Sequence, residues 1–274
     1  MLTALTTPLF DARLDSSLLA PNRNARLTLR LRLALRQLDP AGGGERGYYP
    51  DYGDPAEPLR PIRRWSAAAW ELWKRRFTQV VEGYWSRRFW LENNFSGLPS
   101  LEFERNGYVY RSQIQCRLRL QLVSTPSSAH ATVDVVRLAP GARAFGSHTA
   151  LFSSRDLGLI RKDRTADGRR IRQRTVAHEI GHLLGLEHVD VGKPHCPPSN
   201  TNAFACYGVD DVDVAAVMGA GMTLRTENAR PWREMMIRMT GRGSLTHPHD
   251  WRASLIPLPP RLIGERRVAV GAFR

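Results

Sequence analysis

His178, Glu179, His182, Gly185 and His188 stand in the pattern H-E-x-x-H-x-x-G-x-x-H, and those residue types at that spacing are suited to a catalytic metal ion. Residues four apart on a helix lie one turn above each other, so His178 and His182 face one point. Glu179 sits one step round, near that point but free to handle water. Gly185 is able to take φ > 0, which ends the helix and lets the chain double back. His188 then arrives as a third ligand from outside the helix. Three neutral nitrogens leave the fourth corner of a tetrahedral zinc ion open to water, the mark of a catalytic rather than a closed structural site. A buried amphipathic helix would account for Ile180, Leu183, Leu184 and Leu186, but for neither the glycine nor the third histidine.

The stretch from His178 to His188 resembles the zinc-binding signature of the metzincin clan of metallopeptidases. That clan also carries a methionine-containing turn beneath the metal. Ala215 to Gly221 resembles this turn, with Met218 as its methionine and Met222 as the competitor. Two positions depart from the pattern. Val189, after the third histidine, matches no family marker, and Ala220 stands where some families have a tyrosine. Tyr207, on the loop leading to the turn, is the substitute. The resemblance implies a zinc-dependent endopeptidase acting on a peptide or protein substrate. One Zn2+ would be held by His178, His182 and His188, with Glu179 as general base. It also implies an α/β (α+β) metzincin-like catalytic domain: a twisted mixed five-stranded sheet, two long helices above the zinc cleft, and a smaller C-terminal subdomain with a closing helix. The substrate would lie in the cleft along an edge strand.

The elements needed to position this site are legible in the hydrophobic periodicity. Leu27, Leu29, Leu31, Leu33 and Leu35 alternate with polar or small residues, a strand pattern. From Ser66, an N-cap residue type, Trp70, Trp73, Phe77, Val80, Val81 and Tyr84 recur at helical spacing. Short strands are predicted at Arg88 to Leu91, Ile114 to Leu122, around Val133 to Val136, and at Thr149 to Phe152. A basic loop, Arg161 to Arg174, overlaps the start of the zinc helix, expected from about Gln173 to Gly185. Pro231, Trp232, Met235, Met236 and Met239 support a closing helix ending near Gly241. This order divides the chain into an irregular N-terminal arm (1–25), a catalytic domain (26–243, upper part 26–185, lower part 186–243) and an extended tail (244–274). Residues 39–63 read as a long connection.

The 274 residues are 42% hydrophobic, enough for a sizeable core, and no run is long enough to span a membrane. The start lacks a basic-then-apolar leader, so the expected location is the cytoplasm or a leaderless export route. The net charge is +14, and of forty basic residues only Lys74, Lys162 and Lys193 are lysines. That arginine bias suggests a GC-rich bacterial coding sequence. Together with the missing leader it is compatible with a secreted toxin or effector that meets an immunity-type inhibitor or a secretion apparatus. The arginines are spread along the chain without a nucleic-acid motif, so no specific nucleic acid is expected. The competing reading is a non-enzymatic basic module, binding nucleic acid or protein, with a structural zinc. Cys196 and Cys206 bracket a Pro-Pro-Ser-Asn-Thr-Asn loop and are spaced for a disulfide worth roughly 3 kcal/mol. Free thiols and a second metal site with His195 are the alternatives. Cys116 sits in a predicted strand as a small apolar residue.

Overall fold

A computed structural model of the chain describes residues 2–16, 24–92, 95–165, 168–247, 250–255 and 264–266. The first strands, β1 (Leu2–Thr6) and β2 (Asp11–Asp15), form an antiparallel hairpin. The expectation of an irregular arm is thereby corrected. Thr7 closes the turn by donating its hydroxyl to the Phe10 carbonyl at 2.7 Å, and β2 pairs with β3 (Ala25–Leu38). Residues 17–23, read as part of the same arm, lie outside the described residues. Alternation along β3 buries Leu27, Leu29, Leu31 and Leu33 completely, while Arg26, Arg30 and Arg32 belong to the opposite face. The long connection is also corrected. It contains a second antiparallel hairpin, β4 (Arg46–Pro50) and β5 (Leu59–Arg63).

Helix α1 (Ala67–Trp85) opens on Ser66, whose side chain accepts from the Ala69 amide at 3.3 Å, a cap worth about 1 kcal/mol. Its buried stripe is Trp70, Trp73, Phe77, Val81 and Trp85, and Trp70 and Trp73 stack with ring centroids 5.6 Å apart. Then come β6 (Trp90–Glu92), β7 (Glu102–Arg105), β8 (Tyr108–Arg111), β9 (Ile114–Val123), β10 (Ala131–Leu138) and β11 (Leu151–Ser153). Strand β3 runs parallel to β9 and β10, and β10 parallel to β11. Strands β6 and β5 join antiparallel, on β9 and β10. Among the described residues the mixed sheet therefore has ten strands rather than the expected five. Both hairpins add to it, as does β14 (Arg252–Ser254), paired with β6.

The basic segment before the histidine-bearing helix is not a loop. It is an antiparallel hairpin, β12 (Ile160–Arg164) and β13 (Arg170–Gln173). Helix α2 (Thr175–Leu183) follows and is half the length of α1, so only one of the two helices is long. Gly185, at φ 88°, ends α2. The Gly185 amide reaches the His182 carbonyl and the Leu186 amide reaches that of Gly181, the paired bonds of a Schellman turn. The short α3 (Asp211–Val214) leads to the methionine segment, and α4 (Arg230–Thr240) closes the fold with Gly241 at φ 63° as its cap. Trp232 of α4 is fully buried and donates its indole N–H to the Arg117 carbonyl of β9. The tail is not simply extended: Trp251 is fully buried beside β14. A last strand, β15 (Gly264–Arg266), pairs with β8. The rest of the tail reading, at 256–263 and 267–274, lies outside the described residues.

Candidate metal centre

Helix α2 brings His178 and His182 onto one face, and the Schellman turn returns the chain so that His188 meets them. Nε2 of His182 lies 3.1 Å from Nε2 of His178 and 3.0 Å from Nε2 of His188. The second nitrogen of each ring faces a backbone carbonyl: Nδ1 of His178 is 2.7 Å from the Val217 oxygen, Nδ1 of His182 is 2.8 Å from that of Leu186, and Nδ1 of His188 is 2.8 Å from that of Thr201. A carbonyl only accepts, so each Nδ1 carries the proton and each Nε2 points a bare lone pair at its neighbours. Three lone pairs at such separations repel unless a cation lies between them. Tetrahedral bonds of 2.0–2.1 Å would place such nitrogens about 3.3 Å apart, close to what is found. Burial holds the rings neutral: it pulls His188 down to about 4, His178 well below the ordinary histidine value, and His182 in the same direction. The three histidines are placed to hold a metal ion.

Met218 is buried directly beneath α2. A Cβ added to Gly181, between the two helical histidines, would sit 2.4 Å from the Met218 sulphur, so a side chain at 181 would displace Met218 from its seat against the helix. The turn is closed by the Val217 amide on the Thr223 carbonyl and the Gly219 amide on that of Ala216. The Met218 carbonyl accepts from the Val189 amide, next to His188. The segment thus supports two of the three histidines at once, His178 through Val217 and His188 through Val189. Met222 does something else: its sulphur accepts from the Arg174 amide at the start of α2, and its carbonyl accepts from the Tyr84 hydroxyl. Trp85 adds a further tie, its indole N–H donating to the Ala177 carbonyl at 3.1 Å.

Gln173 is a site residue that the sequence reading used only as a helix boundary. Its buried amide donates to the Gly219 carbonyl at 2.8 Å and to the Val217 carbonyl at 3.3 Å, the same oxygen that receives Nδ1 of His178. The only sequence signal is a glutamine five residues before the first ligand. Outer partners of this kind set ligand orientation. Gln173→Ala is expected to weaken divalent-metal affinity by roughly 10–100-fold in a chelator competition, and an unchanged affinity would remove Gln173 from the site.

Cys196 and Cys206 form a disulfide. It closes the loop that carries Thr201, the carbonyl partner of His188, and leads straight into Tyr207. The Tyr207 ring lies 3.8 Å from that of His188, centroid to centroid. Tyr207 therefore does reach the centre. Below it, Asp190 is fully buried and pairs with Lys193 and His195, leaving the second-metal alternative with no cysteine ligand. Lys193 also reaches Asp213 at 2.8 Å, and Arg225 pairs with the same carboxylate. Hydrogen bonds from Lys193 outweigh burial and, with Arg225, pull the Asp213 carboxyl down to about 2. A depressed carboxyl stabilises the fold above its unfolded value of about 3.9, and that contribution disappears as pH falls toward the folded value. The gap in melting temperature between wild type and Asp213→Asn should therefore be full at pH 6 and vanish below pH 2. A gap independent of pH would contradict this pairing.

Glu179 is buried beside the cluster. Burial pushes its carboxyl up to about 8, Lys162 opposes the shift and Asp156 adds to it. Asp156 itself is buried and accepts from the Ser147 hydroxyl and from the Ser153 amide and hydroxyl. The outward edge of β11 is already satisfied. The Ser153 amide meets Asp156, and Leu151 exchanges both backbone bonds with His148. The expected addition of a substrate strand has no free partner on that edge. The chain matches no family model, no curated protein and no solved structure.

Proposed function

We propose that this chain is a zinc-dependent endopeptidase of the metzincin type, with His178, His182 and His188 as ligands and Met218 in the supporting turn. One observation carries the reading: three bare Nε2 atoms converge, each fixed by a carbonyl behind its ring, with a buried carboxylate alongside. Among the described residues no fourth histidine, cysteine, aspartate or glutamate joins the cluster, which favours an open site over a structural one. Zinc bound there supplies a Lewis acid for the scissile carbonyl and lowers the pKa of water toward about 7.

The remaining chemistry belongs to the chain. Glu179 is held near the ligands by the same helix and takes the proton of the attacking water, then delivers it to the leaving nitrogen. The Tyr207 phenol, kept protonated by burial with its pKa pushed up to about 12, offers a donor to the substrate carbonyl as it gains charge. The test is cleavage of unfolded protein by the metal-loaded chain. Cleavage abolished by chelator and restored by zinc is expected; cleavage indifferent to chelator would overturn the assignment.

A further inference from the structure

The end of α1 carries a residue that the peptidase chemistry does not use. Arg87 follows Ser86, the cap of the helix, and sits at φ 58°. That is the left-handed conformation in which glycine usually ends a helix, and an L-residue with a side chain is strained there. Strand β9 pins the segment. The Arg87 amide donates to the Cys116 carbonyl at 2.9 Å. The Ser86 hydroxyl donates to the Leu118 carbonyl at 2.6 Å and accepts from the Leu118 amide at 3.0 Å. An arginine is thus held, against its backbone preference, at a fixed place beside β9.

It lines a cavity of about 620 Å³ between the end of α1 and the outward side chains of β9. Four guanidiniums border this space, those of Arg87, Arg88, Arg117 and Arg119, and Glu82 is the one carboxylate in the lining. Glu82 is already engaged: one oxygen accepts from the Leu120 amide at 2.9 Å and the other from Arg119 at 2.8 Å. Arg88 donates to the Gly83 and Tyr84 carbonyls at the helix end. Among the described residues no carboxylate pairs with Arg87, Arg88 or Arg117. Burial, with the charges of Arg26, Arg87 and Arg119, pulls the Arg117 guanidinium below its ordinary value, as like charges crowded together must. Among the described residues no aromatic ring lines the cavity, so nothing there would stack on a base.

We propose that this cavity is a binding site for a compact polyphosphate anion, held through its phosphates alone by Arg87, Arg88 and Arg117. The planar fork of a guanidinium matches two oxygens of a phosphate, and such charge-assisted bonds are roughly twice as strong as neutral ones. Three forks without a carboxylate converge on one small volume. That arrangement matches several negative charges at short spacing; an extended chain with one charge per unit would meet only part of it. None of the lining residues belongs to the histidine cluster, so the site is separate from the metal centre and independent of the peptidase reading.

The test is equilibrium dialysis of the full chain, metal-free and zinc-loaded, against inorganic triphosphate. One anion per chain should bind, equally in both forms, and adenosine triphosphate should bind no tighter than inorganic triphosphate. Arg87→Gly should weaken binding by at least about ten-fold, the loss of one charge-assisted pair. It should melt no lower than wild type, since glycine takes the positive φ without strain, so its loss would be that of the guanidinium and not of the fold. Arg117→Gln should weaken binding as much. Arg143→Gln removes an exposed charge outside the lining and should leave affinity within about two-fold, as screening of a surface charge requires. Binding that survives Arg87→Gly, that falls equally in Arg143→Gln, or that needs zinc overturns the site. So does tighter binding of polyglutamate, of a single-stranded oligonucleotide or of adenosine triphosphate than of inorganic triphosphate.

Discussion

Glu179→Gln is expected to retain its metal ion and lose turnover by a factor on the order of 100–10,000, the range a positioned general base contributes. The amide has nearly the shape of the carboxylate, so the helix and both helical ligands stay in place. What it lacks is a site for the proton. The three carbonyls that fix the imidazole tautomers, from Val217, Leu186 and Thr201, do not involve residue 179. Metal content should therefore match wild type while cleavage collapses. A variant that loses metal would make Glu179 a ligand or a structural group, and one that still cleaves would place the base elsewhere.

His188→Ala is expected to weaken metal binding by about 100–1,000-fold. A complete set of four protein ligands is worth roughly 10–16 kcal/mol; one quarter of that, roughly 2.5–4 kcal/mol, corresponds to this range. The loss is specific to the third ligand because His178 and His182 are held by α2 and by their own carbonyls. His188 is held by a different apparatus: the Thr201 carbonyl, the Tyr207 ring, and the disulfide that closes their shared loop. Titration against a competing chelator reads the change. An affinity equal to wild type would mean that the third nitrogen comes from another residue.

The site was legible where its geometry is local. His178, His182, Gly185 and His188 are close in sequence, and helix pitch plus one glycine suffice to bring them together. The same holds for α1, whose aromatic spacing survives in the fold, and for β3 and β9, whose buried-and-open alternation runs from Ala25 to Leu33 and from Ile114 to Leu118. What pairing over long distances decides was not legible. The β1–β2 and β4–β5 hairpins carry prolines and mixed patterns that resemble loops, and only docking onto β3 and β10 makes them strands. The hairpin Ile160–Gln173 looked like a basic loop because its arginines hide the few apolar positions, of which Ile171 is buried. Gln173 escaped for a related reason. It matters through the Gly219 and Val217 carbonyls, contacts that no spacing in the chain announces.

The most direct test of an open, three-histidine zinc centre is metal analysis of the purified protein, with X-ray absorption at the zinc edge. The account predicts one zinc per chain, bound by three imidazole nitrogens at about 2.0–2.1 Å with one oxygen from water. A protein that binds no zinc, or an ion closed off by a cysteine sulphur or a fourth side chain, would contradict it.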